Sequence, residues 1–316
     1  MAVSVLASAP TQTRRAVPRM RHRAGVLAII ASASAMGLSG LFGRMATPPG
    51  AVVGEALTLG RMGVGALGML VVLLAGRRFG ALRRTRVSWS VVLGGVFLGL
   101  SLATYLSAAV LTDLSRAVAL HYLGPVVATV LARVLLKERP TRAELVSVLV
   151  SAAGMVLAAG LLDAEPLVTT QLRGDVLAAV SGVLYGAALL TYRYRSDMPS
   201  DVRSFWNFAF ATLATGGMVA LTRPDLSGMT AQSWAWAAGF FLVCGLLALG
   251  LLVVAGKNLR AVELSALSYW EVVVAMLVGA AVFGEAVSPL GWAGAVLIGV
   301  GAALAVGSTH RRLRTT

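Results

Sequence analysis

Tyr122–Pro140 reads YLGPVVATVLARVLLKERP, and 147 residues further on Tyr269–Val287 reads YWEVVVAMLVGAAVFGEAV. The two stretches align without a gap. Tyr122 falls on Tyr269, Val126 on Val273, Ala128 on Ala275 and Glu138 on Glu285. The register continues outward through Ala119/Ala266 and Leu120/Leu267 on one side, and Gly154/Gly301 and Gly160/Gly307 on the other. Chance supplies Ala and Leu pairs in any apolar sequence, so the weight rests on the Tyr, Glu and Gly pairs. The chain carries an internal repeat built on an apolar run that ends at a carboxylate.

Runs of that length and polarity recur along the whole chain. A helix needs about 20 mostly apolar residues to cross a hydrocarbon core. Ten stretches meet that standard: 24–43, 55–75, 88–109, 115–136, 143–162, 174–192, 205–222, 234–255, 262–283 and 289–307. Most prolines fall between them, where a missing N–H costs little; only Pro125 lies inside a run. With 58% hydrophobic and 13% charged residues, the composition excludes a soluble enzyme, a disordered protein and a disulfide scaffold. The single Cys244 cannot form an internal disulfide. The abundant glycine, 35 residues, suits closely packed membrane helices.

The net charge of +14 is distributed between the spans rather than gathered on a nucleic-acid face. Of 27 Lys and Arg, 21 fall on one side of the membrane if the ten spans alternate strictly, and four (Arg44, Arg116, Arg173, Arg223) on the other. Arg61 and Arg133 lie within spans. The positive-inside rule then places both termini in the cytoplasm of a multi-pass inner (plasma) membrane protein. Residues 1–23 form a basic cytoplasmic tail, which suits anionic lipid, and Met20 is an alternative start. The first apolar run is too long for a cleaved signal peptide.

The repeat maps spans four and five onto nine and ten, so each half holds five helices: 24–162 and 174–307, with 308–316 as a second cytoplasmic tail. Five is odd, so the second half enters the membrane from the opposite side. The expected fold is an all-α integral membrane protein of ten transmembrane helices in two inverted five-helix repeats, a plan typical of secondary transporters. Each half also resembles the EamA domain of the drug/metabolite transporter superfamily. The resemblance rests on the apolar run ending in Lys137-Glu138 or Gly284-Glu285, the glycine-dotted helix after it, Arg61 early in span two, and Gly174-Asp175 opening span six. Trp270-Glu271-Val272-Val273 stands where that family often has Leu-Glu-Pro-Val; the first half keeps Pro125 but has Gly124 for the acid. The resemblance implies a ten-helix carrier, commonly an exporter of amino acids or other small metabolites.

Glu271 is the one acid well inside a span. An intramembrane carboxylate needs a partner or water, and marks a substrate or proton site by default. The bland alternative is a neutral Glu bonded to a neighbouring helix. Ser268 shares its face at a spacing of three. His121 and Pro125 share a face on span four, and Pro125 frees the His121 carbonyl. The offset sets His121 opposite Ser268. Arg61 either meets a substrate carboxylate, pairs with Glu271, or snorkels. Tyr105, Tyr122 and Tyr185 lie inside spans, as does Trp270, whereas the other tryptophans sit near span ends. These rings would stack on a substrate or simply pack between helices. Glu138 and Glu285 read as caps of neighbouring helices.

No H-E-x-x-H, G-x-S-x-G, Walker A or metal-ligand spacing occurs, so no enzyme activity, cofactor or metal is expected. The expected activity is export of a small polar metabolite, foremost an amino acid, with protons as a candidate coupling ion. Glu271 would meet the ammonium and His121 or Arg61 the carboxylate. The alternative is a multidrug exporter of lipophilic cations, and a third class is a metabolite-sensing membrane protein. Small-residue spacings such as Gly95-x-x-x-Gly99 permit packing within the monomer as readily as between copies.

Overall fold

The structure is a computed structural model and describes residues 19–135, 142–158, 169–191, 198–259, 264 and 267–314. Among these residues every regular element is helical: α1 (Arg19–Gly37), α2 (Ser39–Ala46), α3 (Gly54–Ala75), α4 (Phe79–Arg84), α5 (Trp89–Ala108), α6 (Leu114–His121), α7 (Gly124–Leu135) and α8 (Arg142–Ala158). The second half holds α9 (Thr169–Thr191), α10 (Ser200–Thr222), α11 (Ala231–Phe240), a π-helical turn (Phe241–Leu247), α12 (Ala248–Asn258), α13 (Trp270–Phe283) and α14 (Pro289–Arg314). Seven helical stretches are long and apolar enough to cross a membrane, and Leu145–Ala158, Trp270–Phe283 and Pro289–Gly301 are shorter apolar helices.

Large apolar side chains cover the outside, among them Leu27, Leu67, Val71, Leu213 and Leu221, each more than 60% exposed. That surface suits lipid, not water. Trp89, Trp234 and Trp292 are exposed near helix starts. Within the bundle, several hydroxyls return to carbonyls one turn back, as Thr104 to Leu100 and Thr215 to Ala211, which satisfies a donor that an apolar medium cannot.

Two of the expected single helices are interrupted. The first span breaks at Leu38 between α1 and α2, and the fourth at Tyr122–Leu123 between α6 and α7. Pro125 therefore lies in the first turn of a new helix, where no N–H partner is required, instead of kinking a continuous one. The carbonyls of Leu120 and His121 lie against Gly182 of α9, where an added Cβ would meet them at 2.4 and 3.0 Å.

Helix contacts recur in pairs when each helix is exchanged for its counterpart in the other half. α5 packs on α9 as α1 packs on α12; α7 packs on α9 as α1 packs on α13; α3 pairs with α10 and α8 with α14. The recurrence holds at atomic scale. A Cβ on Gly154 would meet Gly294 O at 2.7 Å and Ile298 N at 2.8 Å; one on Gly301 would meet Ser147 O at 3.2 Å and Ser151 N at 3.1 Å. Each position in one set lies 147 residues from its counterpart in the other. Because residue numbers rise along α8 as they fall along α14, the two helices run antiparallel. Gly37 likewise abuts Glu271 O and Val274 Cβ, and Gly186 abuts Gly124 O and Val127 Cβ. The glycines lie 149 apart and their contacts 147, so a two-residue shift hides this equivalence from the sequence alignment.

Candidate functional site

A cavity of about 360 Å³ lies inside the bundle, between α1, α3, α5, α6, α9, α10, α12 and the start of α13. Seven of the eight residues singled out in the sequence line it: Arg61, Tyr105, His121, Tyr122, Tyr185, Ser268 and Glu271. Trp270 does not. It is 37% exposed and donates its indole N–H to Ser34 Oγ at 3.1 Å, since it precedes Glu271 by one residue and points about 100° away.

Glu271 sits in the first turn of α13, 7% exposed, where the free N–H groups of a helix start favour a carboxylate. The Tyr122 hydroxyl donates to its Oε2 at 2.6 Å. Tyr122 also meets its own repeat counterpart, Tyr269, with ring centroids 5.5 Å apart. His121 is held between two tyrosines, stacked on Tyr185 at 4.7 Å and tilted against Tyr105 at 4.9 Å. Its Nδ1 lies 2.6 Å from Ser181 Oγ. These contacts fix the ring on three sides.

Arg61 is 2% exposed, and its seat is built by α11 and the π-helical turn. Its guanidinium carbon lies 5.2 Å from the Phe240 ring centre, a cation–π arrangement. Gly245 in the π turn gives Arg61 room, since a Cβ there would come 3.3 Å from its Cγ. One terminal nitrogen lies 2.7 Å from Met36 Sδ, and Nε has no hydrogen-bond partner. Among the described residues no ion pair forms between Arg61 and Glu271, so the pairing weighed in the sequence is not the arrangement found.

Sequence reading missed the polar group contributed by α10: Arg203, Ser204 and Asn207 also line the cavity. Asn207 is 8% exposed and its Oδ1 has no partner. Arg203 counts by spacing as a loop cation, and a lone Asn near a span end carries no signal; only the fold turns them inward. Asn207 lies at the level of Gly95 on α5, about 15 Å along that helix from Tyr105. The cavity is thus elongated. Leu98, Leu102, Phe208, Leu249 and Leu252 give it apolar walls.

Beyond Tyr105 the bundle is closed by an ionic cluster. Arg44 at the end of α2 donates to Ala109 O (2.6 Å), Thr112 O (2.7 Å) and Glu285 Oε1 (2.6 Å). The Glu285 carboxylate also accepts the Leu114 N–H at 3.0 and 3.1 Å, capping α6. Gly284 takes φ +66°, a left-handed turn that suits glycine and folds Glu285 back over Gly279. Arg116 pairs with Asp175 at 3.0 Å, and Thr112 donates to the same carboxylate at 2.8 Å. Glu285 is therefore a helix cap, as its position suggests; Glu138 lies outside the described residues. At the opposite end Arg78 pairs with Asp201.

The model of the EamA-like transporter family matches residues 23–160 and 172–307. The chain belongs to that family: it is a multi-pass membrane protein and a transporter of the drug/metabolite type. It resembles a solved structure titled only as the crystal structure of a protein, with a TM-score of 0.69 and 22% identity over 92% of this chain and 98% of that one. At that identity the likeness speaks for the fold alone. No curated protein matches it.

Proposed function

We propose that this protein is a secondary carrier that exports a small polar metabolite, an amino acid by preference, through alternating access around the central cavity. One observation carries the reading: Arg61 and Glu271, both buried, line a single cavity without pairing to each other. Buried opposite charges left apart are costly unless something else meets them. A zwitterion does so, its ammonium at Glu271 and its carboxylate at Arg61 with His121 alongside.

The carrier plan has its own support. The matched contacts of α8 and α14, equivalent helices running antiparallel, are those expected of two halves related by an axis in the membrane plane. On this reading the ten spans form inverted halves, 24–162 and 174–307, between the tails 1–23 and 308–316. The 21-to-4 division of basic residues favours a bacterial-type inner membrane with both termini cytoplasmic. Arg44, Arg116, Asp175 and Glu285 then face the outside, and Arg78 and Asp201 the cytoplasm. Glu271 is also the group through which protons would couple.

The apolar walls favour the second reading, a multidrug exporter of lipophilic cations. Arg61 and Arg203 in the same cavity weigh against it, because a lipophilic cation gains nothing from either. The two separate in liposomes holding purified protein, by counterflow of radiolabelled amino acids and of ethidium in parallel. Saturable amino-acid exchange that disappears in Glu271→Gln supports the metabolite exporter. Ethidium movement alone replaces it with the drug exporter.

A further inference from the structure

The cavity has a second polar end, on α10, that a zwitterion held by Glu271 and Arg61 does not reach. Arg203, Ser204 and Asn207 all line the cavity there, and their spacings of three and four place them on one helix face. That stretch of α10 is fixed by its own bonds. Arg203 donates to Thr191 O at the end of α9 (3.2 Å) and to Ser90 O near the start of α5 (3.3 Å), and Asp201 in the first turn is paired with Arg78. A side chain presented from such an element is already held in position for a ligand.

Asn207 is the member of this face with nothing to hold. It is buried, and its Oδ1 has no hydrogen-bond partner. A buried acceptor left bare is costly, and Leu98, Leu102, Phe208 and Leu249, the walls between the two polar ends, offer it no donor. A ligand reaching this end therefore gains most by bringing one. The charge of that donor is restricted by Arg203, one helical turn away. An ammonium or guanidinium tip would meet a like charge in an apolar enclosure. A carboxylate tip suits Arg203 but brings Oδ1 no proton, and a thioether brings nothing. An uncharged donor is left. A carboxamide fits best, since it donates its N–H to Oδ1 while its own oxygen accepts from the Asn207 amide nitrogen.

The length of the cavity sets the reach. Asn207 lies at the level of Gly95, about 15 Å along α5 from Tyr105. Hydrogen bonds of about 3 Å at each end leave about 9 Å for the molecule between them, the extended length of an amino acid with a long unbranched side chain. We propose that this face of α10 is the side-chain subsite of the carrier and that Asn207 determines its specificity, selecting a long side chain tipped by an uncharged hydrogen-bond donor, a carboxamide foremost. The proposal deepens the carrier reading and rests on it, since that reading places the substrate's ammonium at Glu271 and its carboxylate at Arg61.

Four amino acids of nearly equal side-chain length separate the tips: glutamine, glutamate, ornithine and methionine. Their affinities for the purified full-length protein follow from the rise of its thermal midpoint with ligand concentration, a readout that needs no transport. Glutamine should bind at least about tenfold more tightly than each of the other three. In Asn207→Leu that lead should vanish and methionine should match or overtake glutamine, whereas a merely structural role for Asn207 would weaken all four alike. If Asn207→Leu does not fold, the order in the unaltered protein decides. Equal binding of the four, an order led by any other tip, or a glutamine lead that persists in Asn207→Leu overturns the subsite and leaves the carrier reading standing. Silence across the whole panel removes the zwitterion reading and the subsite with it.

Discussion

The two arginine sites of the molecule are built on opposite plans. Arg44 is fully matched: each nitrogen of its guanidinium has an oxygen acceptor, and the Phe283 ring lies 4.5 Å from its carbon. Arg61 is buried more deeply, yet has a ring and a thioether for close partners and, among the described residues, no carboxylate at ion-pair distance. The unequal treatment of one residue type separates holding from binding. A charge satisfied from within stabilises one arrangement; on the carrier reading proposed above, a cavity charge that forms no ion pair is the one a ligand would meet.

Substitution should break that contrast in different observables. The largest effect is expected for Arg61→Gln and Glu271→Gln. Each leaves one end of a charged substrate unmatched in a dry site and abolishes counterflow, by at least about a hundredfold. The thermal midpoint in detergent stays within a few degrees. Glu285→Gln does the reverse. It removes a helix cap and an ion pair together, costing about 2–4 kcal/mol of stability, and lowers the thermal midpoint clearly, as fluorescence-detected size exclusion on heating would register.

Gly294→Ala comes next, because its Cβ would meet Ala158 N and Gly154 O at 2.3 Å, both backbone atoms. Neither neighbour can rotate away, so α8 and α14 must separate. A loss of about 1–3 kcal/mol is expected from overpacking, read in the same heating assay. Trp270→Phe sharpens the contrast from the other direction: transport should change less than about twofold, since that ring lies outside the cavity and gives up only one exposed hydrogen bond.

The smallest effect concerns Asp113, in the connection before α6. Burial, and next the neighbouring Glu285 carboxylate, raise its carboxyl above the ordinary aspartate range. The folded state therefore binds that proton more tightly than the unfolded chain, so this contribution to stability is present in acid and fades as pH rises through its titration. Asp113→Asn should flatten the slope of thermal midpoint against pH in that range.

Much of the cavity was legible because charge and hydroxyls are conspicuous in apolar sequence. Glu271, Arg61 and His121 stand out within their runs, and the repeat singled out Tyr122 and Tyr269, which do meet. The remainder depends on tertiary geometry. Met36, Ser181 and Asn207 are ordinary residues until the packing of α1, α9 and α10 turns them inward. The breaks at Leu38 and Tyr122 leave the hydrophobic pattern uninterrupted, because both flanking segments stay in lipid or core. Arg44 and Glu285 lie 241 residues apart and read separately as a loop cation and a cap; their bond exists only once the halves assemble. The π turn that seats Arg61 has no local signature in Phe241–Leu247, since each residue there serves an α-helix equally well.

The separation of Arg61 from Glu271 is probed most directly by competition in counterflow between an amino acid that the carrier exchanges and two derivatives of it, one N-acetylated and one with its carboxylate amidated. A site that holds both charges of a zwitterion predicts that the intact amino acid competes and that each derivative is at least about a hundredfold weaker. Equal competition by the amidated, cationic derivative would contradict it, leaving Arg61 without a ligand to meet.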